Sequence, residues 1–297
     1  MSQETVYAIA SGKGGVGKTT TTVNLGTALA QAGKRVAIVD VDLGMANLAG
    51  FVSLTPDSTT LHDVLATNAP LDDATYRLAE NIVAIPSGTG LDDYAATSPE
   101  GLRDVVETLR DRFDYVLLDV GAGVSHETVL PLGLADAVLL ISTPEPASVH
   151  DAKKTLELTD RAGGEIAGLI VTCTRPTGDV SYPEIAERLE VPLLATIPED
   201  PAVRESVYAG KPLVVYKPDS PASAAYCRLA AEMADIEPPK AVAADAKAGG
   251  STEATDGAAN DDDAANSDDD GDGDEQSGVA SHDDVSSAIT EAESDSS

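Results

Sequence analysis

The feature that most constrains this chain is the run Gly12-Lys13-Gly14-Gly15-Val16-Gly17-Lys18-Thr19, which has the spacing G-x-x-x-x-G-K-[ST]. An apolar segment, Thr5 to Ala10, precedes the run, and a segment of helical periodicity, Thr19 to Ala32, follows it. Glycines at such positions let backbone N–H groups turn inward, where a Cβ would obstruct them. A glycine-rich turn that ends in a lysine and a hydroxyl at a helix N-terminus predicts a triphosphate site.

This glycine-rich loop, called the P-loop below, contains a second lysine, Lys13. That residue reduces the number of families to which the motif can belong. The run Lys13-Gly14-Gly15-Val16-Gly17-Lys18-Thr19-Thr20 resembles the deviant Walker A motif, K-G-G-x-G-K-T-T, of the MinD/ParA family of P-loop ATPases. In that family the first lysine reaches the partner's phosphates across a nucleotide-sandwich dimer. The resemblance therefore implies a Mg²⁺-dependent ATPase whose ATP-bound homodimerisation and hydrolysis are coupled, with Lys13 clamping charge on the transferred phosphoryl group.

The same motif predicts a role for each of its residues. Lys18 is expected to reach the β- and γ-phosphates, and the Thr19 hydroxyl to ligate Mg²⁺. The nucleotide-binding residues of the motif are then Gly12, Lys13, Gly14, Gly15, Val16, Gly17, Lys18, Thr19 and Thr20.

Short apolar runs alternate with longer helical patterns, which predicts an α/β protein with a mostly parallel central sheet flanked by helices in three layers, as in P-loop NTPases. Seven strands are expected: Thr5 to Ala10, Arg35 to Val39, Ile82 to Ile85, Tyr115 to Leu118, Ala137 to Ile141, Ile166 to Thr172 and Leu193 to Ile197. Helices are expected at Thr19 to Ala32, Thr60 to Ala66, Pro99 to Asp111, Glu145 to Arg161, Pro183 to Arg188, Pro201 to Tyr208 and Pro221 to Ile236. The last helix has a stripe of mostly small apolar residues, which indicates core packing rather than a membrane anchor.

Three acidic residues follow or end predicted strands, where ligands bind in open parallel sheets. Asp119 occupies the position of a Walker B acid and is expected to hold Mg²⁺ through water. Asp40 and Asp42 belong to a segment that resembles the family's switch I. The resemblance assigns orientation of the attacking water to Asp42 and a supporting metal role to Asp40. The alternative is that one of the two only caps a turn.

Three further segments resemble family loops. Asp119-Val120-Gly121-Ala122-Gly123 matches switch II, D-x-P-A-G, with Gly121 in place of proline, so this loop is expected to be more mobile. Thr172-Cys173-Thr174-Arg175 resembles a loop that flanks adenine, and Ile197-Pro198-Glu199-Asp200 resembles I-P-x-D, which closes over the purine. The base-binding residues are then Arg175, Pro198, Glu199 and Asp200. None of these loops is the N-K-x-D guanine signature, so ATP is favoured over GTP.

Charge divides the chain into two parts. The net charge is −32, and 18 of the 51 acidic residues but only two of the 19 basic ones lie after residue 236. Residues 1–236 are expected to form the ATPase domain, and residues 237–297, an acidic low-complexity segment, a disordered tail. The acidity of the domain suggests a halophilic archaeal host and argues against DNA binding. Cys173 and Cys227 are expected to be free thiols, and without a leader segment the protein is expected to be cytoplasmic.

The segment Asp42-Leu43-Gly44-Met45-Ala46-Asn47-Leu48 resembles D-x-G-x-x-N-L of the MinD branch. Division-site MinD proteins end in a Lys-rich amphipathic helix, whereas this chain ends in acidic residues that anionic lipid would repel. The resemblance implies an ATPase that positions or partitions cellular machinery, recruited to a cell pole or membrane array through a protein activator rather than by lipid. Two alternatives remain: a nucleotide-locked, non-hydrolysing scaffold, and an iron-sulfur carrier, for which paired cysteines are missing.

Overall fold

The structure is a computed structural model, which describes residues 5–51, 58–67, 69–88, 101–123, 126–175 and 181–237. These residues belong to one compact unit, Met1–Ser251. A second unit, Thr252–Ser297, lies outside the described residues, as does nearly all of the segment predicted to be a disordered tail.

An eight-stranded sheet forms the centre of the first unit, in the order β3-β4-β2-β5-β1-β6-β7-β8. Every neighbouring pair is parallel except β3 and β4. Seven of the strands were predicted. The antiparallel edge strand β3 was not, because its four residues are half-buried or exposed and lack an apolar run. The strands are β1 (Val6–Ala10), β2 (Val36–Asp40), β3 (Tyr76–Ala79), β4 (Ile82–Ile85), β5 (Tyr115–Asp119), β6 (Ala137–Ser142), β7 (Ile166–Thr174) and β8 (Leu193–Pro198).

Helices cover both faces of the sheet. They are α1 (Lys18–Gln31), α2 (Leu48–Phe51), α3 (Leu61–Thr67), α4 (Leu102–Arg112), α5 (His126–Leu134), α6 (Pro146–Ala162), α7 (Tyr182–Leu189), α8 (Pro201–Tyr208), α9 (Leu213–Tyr216) and α10 (Pro221–Met233). Sequence reasoning missed three of them. α2 and α9 have only four residues each, too few for a periodic pattern, and α5 contains Pro131, which normally disfavours a helix interior. Among the described residues, no helix has the length and apolar character needed to span a membrane.

Two apolar layers lie against opposite faces of the sheet. On one face Ile9 and Ile38 pack with α1, α9 and α10, and on the other Ala8 and Val39 pack with α3, α4 and α5. Successive residues of a strand point to opposite faces, which is why neighbours such as Ala8 and Ile9 belong to different layers. The stripe of α10 is buried against the first face, with Tyr226 only 1% exposed. The prediction of a three-layer fold and of a core-packing α10 is therefore confirmed.

At the amino-terminal edge of the sheet, carboxylates are paired. Asp136 accepts hydrogen bonds from the backbone N–H of Thr5 at 2.8 Å, of Val6 at 2.9 Å and from Arg110 Nη1 at 2.7 Å. Burial alone would raise the pKa of Asp136, but these donors outweigh it and hold that pKa below its ordinary value. Asp114 similarly bonds Arg35, whose guanidinium lowers the pKa of the carboxyl. These pairs fasten strands and helices where no ligand site was expected.

Candidate functional site

The glycine-rich loop leaves the carboxyl end of β1 and turns directly into α1. Gly17 is the N-cap of α1 with φ 95°, and Gly15 has φ 75°, a left-handed conformation that favours glycine. A Cβ on Gly12 would collide with the backbone carbonyl of Asp151 in α6. The loop is therefore held close to α6, and the N-terminus of α1 opens toward the space in front of the loop, as an anion site requires.

Lys18 opens α1 and lies among carboxylates. Burial lowers the pKa of Lys18, while the charges of Asp119 and Asp42 act in the opposite direction. Thr22, one turn further along α1, donates its hydroxyl to Asp119 Oδ1 at 3.3 Å, and Thr19 also hydrogen-bonds that carboxyl. The structure thus brings together Lys18, Thr19 and the predicted Walker B acid.

Asp40 and Asp119 stand side by side at the carboxyl ends of β2 and β5, paired in the sheet register. Both are almost fully buried, at 1% and 2% exposure. Burial raises the pKa of Asp40 to about 8, with a further contribution from the charge of Asp119. Burial likewise raises the pKa of Asp119 to about 6, against the opposing effects of Thr19 and Lys18. The single positive charge of Lys18 does not balance the two negative charges of Asp40 and Asp119 when both carboxylates are ionised.

Asp40 organises the switch I segment. Its Oδ1 accepts the Asp42 N–H at 3.1 Å, and its Oδ2 accepts the N–H groups of Asn47 and Leu48, each at 3.0 Å. The carboxylate therefore caps the turn between β2 and α2, one of the two roles that the sequence left open. A carboxylate has about four lone-pair sites, so capping leaves room for a water-bridged contact to a cation.

The Asp42 carboxylate lies against Gly121 of switch II, and its charge acts on Lys18. Its Oδ1 accepts the Met45 N–H at 3.1 Å. A Cβ on Gly121 would lie 3.0 Å from Asp42 Oδ1 and 3.1 Å from its Cγ, closer than most real contacts. Glycine in place of the family's proline therefore leaves room for the Asp42 carboxylate of switch I to pack against switch II. The mobility expected from this replacement stays a prediction.

The donor set of this edge suits a magnesium ion that arrives with a nucleotide. Within the described ranges, no three or more His, Cys, Asp or Glu side chains gather into a metal centre of their own. A threonine hydroxyl and a buried carboxylate whose charge is not fully balanced both offer oxygen ligands, which hard cations prefer. Mg²⁺ usually binds one or two protein oxygens together with phosphates and water. Thr19 fits a direct contact with the ion, Asp119 fits a contact through water, and Asp40 fits a supporting position.

Beyond the P-loop, a cavity of about 700 Å³ opens between the carboxyl ends of β7 and β8 and the helices α8 and α10. Thr172 joins it to the P-loop by donating its hydroxyl to the Val16 carbonyl at 2.7 Å. The volume accommodates a purine nucleoside. Its lining includes all four residues predicted for base binding, Arg175, Pro198, Glu199 and Asp200, together with Gly15, Val16, Gly17 and Thr20 of the P-loop.

Three charged residues at this cavity, Arg175, Glu199 and Asp200, have local partners. Arg175 Nε donates to Glu199 Oε2 at 2.6 Å, and both side chains are more than half exposed. Asp200 caps α8 by accepting the Ala202 N–H at 2.9 Å, and it also accepts the Ala222 N–H of α10 at 3.3 Å. Asp200 therefore shapes the cavity by fixing two helix N-termini, whereas Arg175 and Glu199 form a polar pair at its mouth.

Sequence reasoning missed several residues that line the cavity, chiefly Tyr226 and Arg204. Tyr226 was predicted as core, and it is buried, but its hydroxyl lies 3.2 Å from Thr21 Oγ1 beside the cavity. Burial raises the pKa of Tyr226 to about 12. No local signal identified these residues, because the proximity of α8 and α10 to the P-loop is a consequence of the sheet order.

Lys13 lies on the outer side of the P-loop. Its Nζ is 3.9 Å from Glu145 Oε2, and its side chain is 46% exposed. Glu145, which the Thr143 hydroxyl also contacts, is the N-cap of α6. The structure therefore places Lys13 at the surface beside the phosphate site, where a second molecule can reach it.

Comparisons with known proteins agree with this geometry. Residues 7–213 match the model of the CobQ/CobB/MinD/ParA nucleotide binding domain. The chain is 40% identical over 227 residues to an uncharacterized ATP-binding protein of Methanocaldococcus jannaschii, covering 76% of this chain and 86% of that protein. It also resembles the solved septum site-determining protein MinD of Pyrococcus horikoshii complexed with Mg-ADP, with 37% identity, a TM-score of 0.72 and coverage of 77% and 95% of the two chains. The MinC:MinD cell division protein complex of Aquifex aeolicus matches at 28% identity and a TM-score of 0.71, covering 79% of this chain and 97% of that one.

Proposed function

The chain belongs to the CobQ/CobB/MinD/ParA nucleotide-binding family, and on that premise we propose that it is a MinD-like, Mg²⁺-dependent ATPase that positions or partitions cellular machinery. The machinery is that of cell division, motility, chemosensory arrays or a similar assembly. One observation carries the proposal: Asp119 at the end of β5 accepts a hydrogen bond from Thr22 of α1, the helix that Lys18 begins, and Asp42 lies against Gly121, two residues after Asp119. A metal-binding acid and a candidate for orienting water thus lie at the same edge of the sheet as the P-loop.

Binding begins at the P-loop. Backbone N–H groups of the loop and the α1 N-terminus hold the phosphates, Lys18 donates to the β- and γ-phosphate oxygens, and the base enters the 700 Å³ cavity. The polar pair Arg175 and Glu199 and the ring of Pro198 border the base there. Thr19, and Asp119 through water, would hold a Mg²⁺ ion, which would supply positive charge to neutralise the phosphates.

Hydrolysis needs a water in line with the γ-phosphorus, oriented for attack. Asp42 accepts a hydrogen bond from that water through its carboxylate, which lies against Gly121 of switch II. Lys18 stabilises the charge that develops on the transferred phosphoryl oxygens. Water attacks phosphorus, the bond to the β-phosphate oxygen breaks, and the products are ADP and inorganic phosphate.

Lys13 connects hydrolysis to dimerisation in this proposal. Its weak contact with Glu145, 3.9 Å between two largely exposed groups, is of a kind that contributes little, so the lysine is available to a partner's phosphates. ATP then favours a sandwich homodimer, and each protomer receives Lys13 from its partner. The similarity to a MinC:MinD complex supports a protein activator as a further partner.

We further propose that the protein is cytoplasmic, that the acidic residues 237–297 lie outside the ATPase domain, and that recruitment to a pole or membrane array proceeds through a protein rather than by lipid. Charge supports this proposal, since 18 acidic residues and two basic ones follow residue 236. Fluorescent fusions of the wild type, Asp42→Ala and a chain truncated after Ile236 test it in living cells. A patterned signal altered by Asp42→Ala supports positioning, whereas a diffuse signal in all three contradicts it.

The enzymatic part is tested by phosphate release from ATP with Mg²⁺ in molar KCl, a medium suited to a net charge of −32. Light scattering in the same buffer reports the oligomeric state with ATP and with ADP. ATP-dependent dimerisation with turnover supports the proposal. ATP-dependent dimerisation without turnover, even with a partner present, supports the nucleotide-locked scaffold instead.

A further inference from the structure

We propose that His62 is a positioning residue for the attacking water, because its ring fastens the segment that carries Asp42. The inference rests on the proposed ATPase function and adds a residue outside the P-loop, the two switches and the base cavity. His62 belongs to α3, and its side chain is 1% exposed.

The helix that presents His62 is itself fixed at its start. Thr60 donates both its backbone N–H, at 2.7 Å, and its hydroxyl, at 3.0 Å, to Asp63 Oδ2. The Leu61 N–H donates to the Pro86 carbonyl at 2.8 Å, which ties α3 to the chain leaving β4. The histidine ring therefore projects from a defined point, between the end of β4 and switch I.

Both ring nitrogens of His62 bind backbone. The Gly88 N–H donates to Nδ1 at 2.7 Å, and Nε2 lies 3.1 Å from the Leu43 carbonyl oxygen. Since a backbone N–H can only donate, Nδ1 must accept, and the proton of the neutral ring must lie on Nε2, which donates to Leu43. One tautomer thus satisfies both partners, and Leu43 directly follows Asp42.

The loop after β4 also hydrogen-bonds the backbone on the amino-terminal side of Asp42. Ser87 donates its hydroxyl to the Asp40 carbonyl at 2.6 Å. The backbone is therefore anchored at Asp40 by Ser87 and at Leu43 by His62, with Asp42 between the two anchors. A Cβ on Gly88 would lie 3.2 Å from both His62 Nδ1 and Thr60 Oγ1, so the junction is closely packed.

A residue that only filled space here would need no polar atoms, and an apolar side chain would bury at lower cost. His62 instead uses both nitrogens on two backbone segments that flank the proposed water site. Displacement of a reacting group by about 1 Å can cost roughly 100-fold in rate, so loosening Leu43 is expected to lower kcat. The KM for ATP is expected to change little, because the two hydrogen bonds of His62 described above go to Leu43 and Gly88, which belong neither to the P-loop nor to the base cavity.

The test compares His62→Leu, which removes both hydrogen bonds, with His62→Gln, whose amide offers a donor and an acceptor. Tyr115→Phe serves as a control, because it removes a partly buried hydrogen bond to the Met233 carbonyl, 2.8 Å long, far along the chain from switch I. Full-length proteins are assayed for kcat and KM with Mg²⁺ and ATP in molar KCl, and for thermal midpoint. We expect His62→Leu to lower kcat at least about 10-fold with KM within about twofold, and His62→Gln to recover part of the loss.

Backbone hydrogen exchange makes the test independent of turnover. We expect His62→Leu to speed exchange in residues 42–48 while residues 12–20 exchange as in the wild type, and Tyr115→Phe to leave both segments unchanged. Unchanged exchange in residues 42–48, or an unchanged kcat in folded His62→Leu, overturns the inference. Absence of turnover in the wild type with faster exchange in the variant overturns the proposed hydrolysis, but not the positioning of the segment by His62.

Discussion

Carboxylates have opposite electrostatic environments at the amino-terminal edge and the carboxyl edge of this sheet, the two edges at which the strands begin and end. At the amino-terminal edge, Asp136 and Asp114 have arginine partners, and the pKa of each carboxyl lies below its ordinary value. At the carboxyl edge, Asp40 and Asp119 are buried side by side, and the pKa of each is raised. The first arrangement stabilises the fold in the absence of any ligand. The second is costly until a cation arrives, which is what a nucleotide-bound Mg²⁺ supplies.

The contrast separates residues that hold the fold from residues that hold the ligand. A protein gains nothing for stability by burying two adjacent acids, since replacing such groups with neutral ones is often neutral or stabilising. Their retention at the carboxyl edge is therefore a functional signal.

Replacing Lys18 with Met is expected to have the largest effect. The change removes the cation that meets the phosphates, and we expect turnover to fall by about 10²–10³-fold. Phosphate release in molar KCl measures it. Lys34→Met, at the amino-terminal edge, is the matched control and should hydrolyse ATP at the wild-type rate. Equal losses in the two variants would mean that charge matters without regard to its place.

Replacing Asp119 with Asn should separate activity from stability. Because the amide cannot hold Mg²⁺ as the carboxylate does, we expect turnover to fall about 100-fold. Because a buried charge is removed, the nucleotide-free protein should unfold at the same temperature as the wild type or a higher one. Calorimetry without nucleotide measures the second effect, and a marked loss of stability would show that Asp119 is structural.

Replacing Asp136 with Asn should give the reverse result. The amide keeps one acceptor oxygen but loses the charge-assisted bond to Arg110, so we expect a loss of about 1–2 kcal/mol in the free energy of unfolding. Turnover of the folded variant should equal that of the wild type. Urea titration and phosphate release measure the two quantities. A variant of full stability and low activity would overturn the division between the edges.

The pH dependence of stability should have opposite signs at the two edges. Asp119, whose folded pKa is raised from 3.8 to about 6, binds its proton more tightly when folded, so its contribution to stability declines as the pH rises from about 4 to 6. Asp136, with a lowered folded pKa, stabilises the fold above its unfolded pKa and loses that effect as the pH falls through its folded pKa.

Unfolding of nucleotide-free protein across this range checks the signs. Asp119→Asn should flatten the decline between pH 4 and 6, and Asp136→Asn should weaken the loss of stability on acidification. If Asp119→Asn leaves the change of stability with pH as it is in the wild type, the Asp119 carboxyl does not have a raised pKa in the folded protein.

Much of the carboxyl edge could be predicted from the sequence, because its parts are local. The P-loop, Asp40 and Asp119 each follow directly from a strand and its neighbouring residues, and parallel strands bring their carboxyl ends to one edge. The base loops at Arg175 and Pro198 were likewise recognised by short segments, and both line the cavity.

What could not be predicted depends on distant packing. Tyr226 borders the cavity only because α10 lies beside β8, and Asp200 caps α8 while bonding α10, a contact across 22 residues. The pairing of Asp136 with Arg110 and the two partners of His62 have no local pattern either. The antiparallel β3 was missed for another reason, since a half-exposed edge strand shows no apolar run.

ATP turnover of Asp42→Ala beside the wild type, with ATP binding measured on the same samples, decides whether this site hydrolyses ATP with the help of switch I. With Mg²⁺ in molar KCl, we expect the wild type to release phosphate and Asp42→Ala to lose at least about 100-fold in kcat while still binding ATP. That result would place the chemistry between the P-loop and switch I. Wild-type turnover that Asp42→Ala leaves intact, or a wild type that binds ATP and never hydrolyses it, would contradict the account.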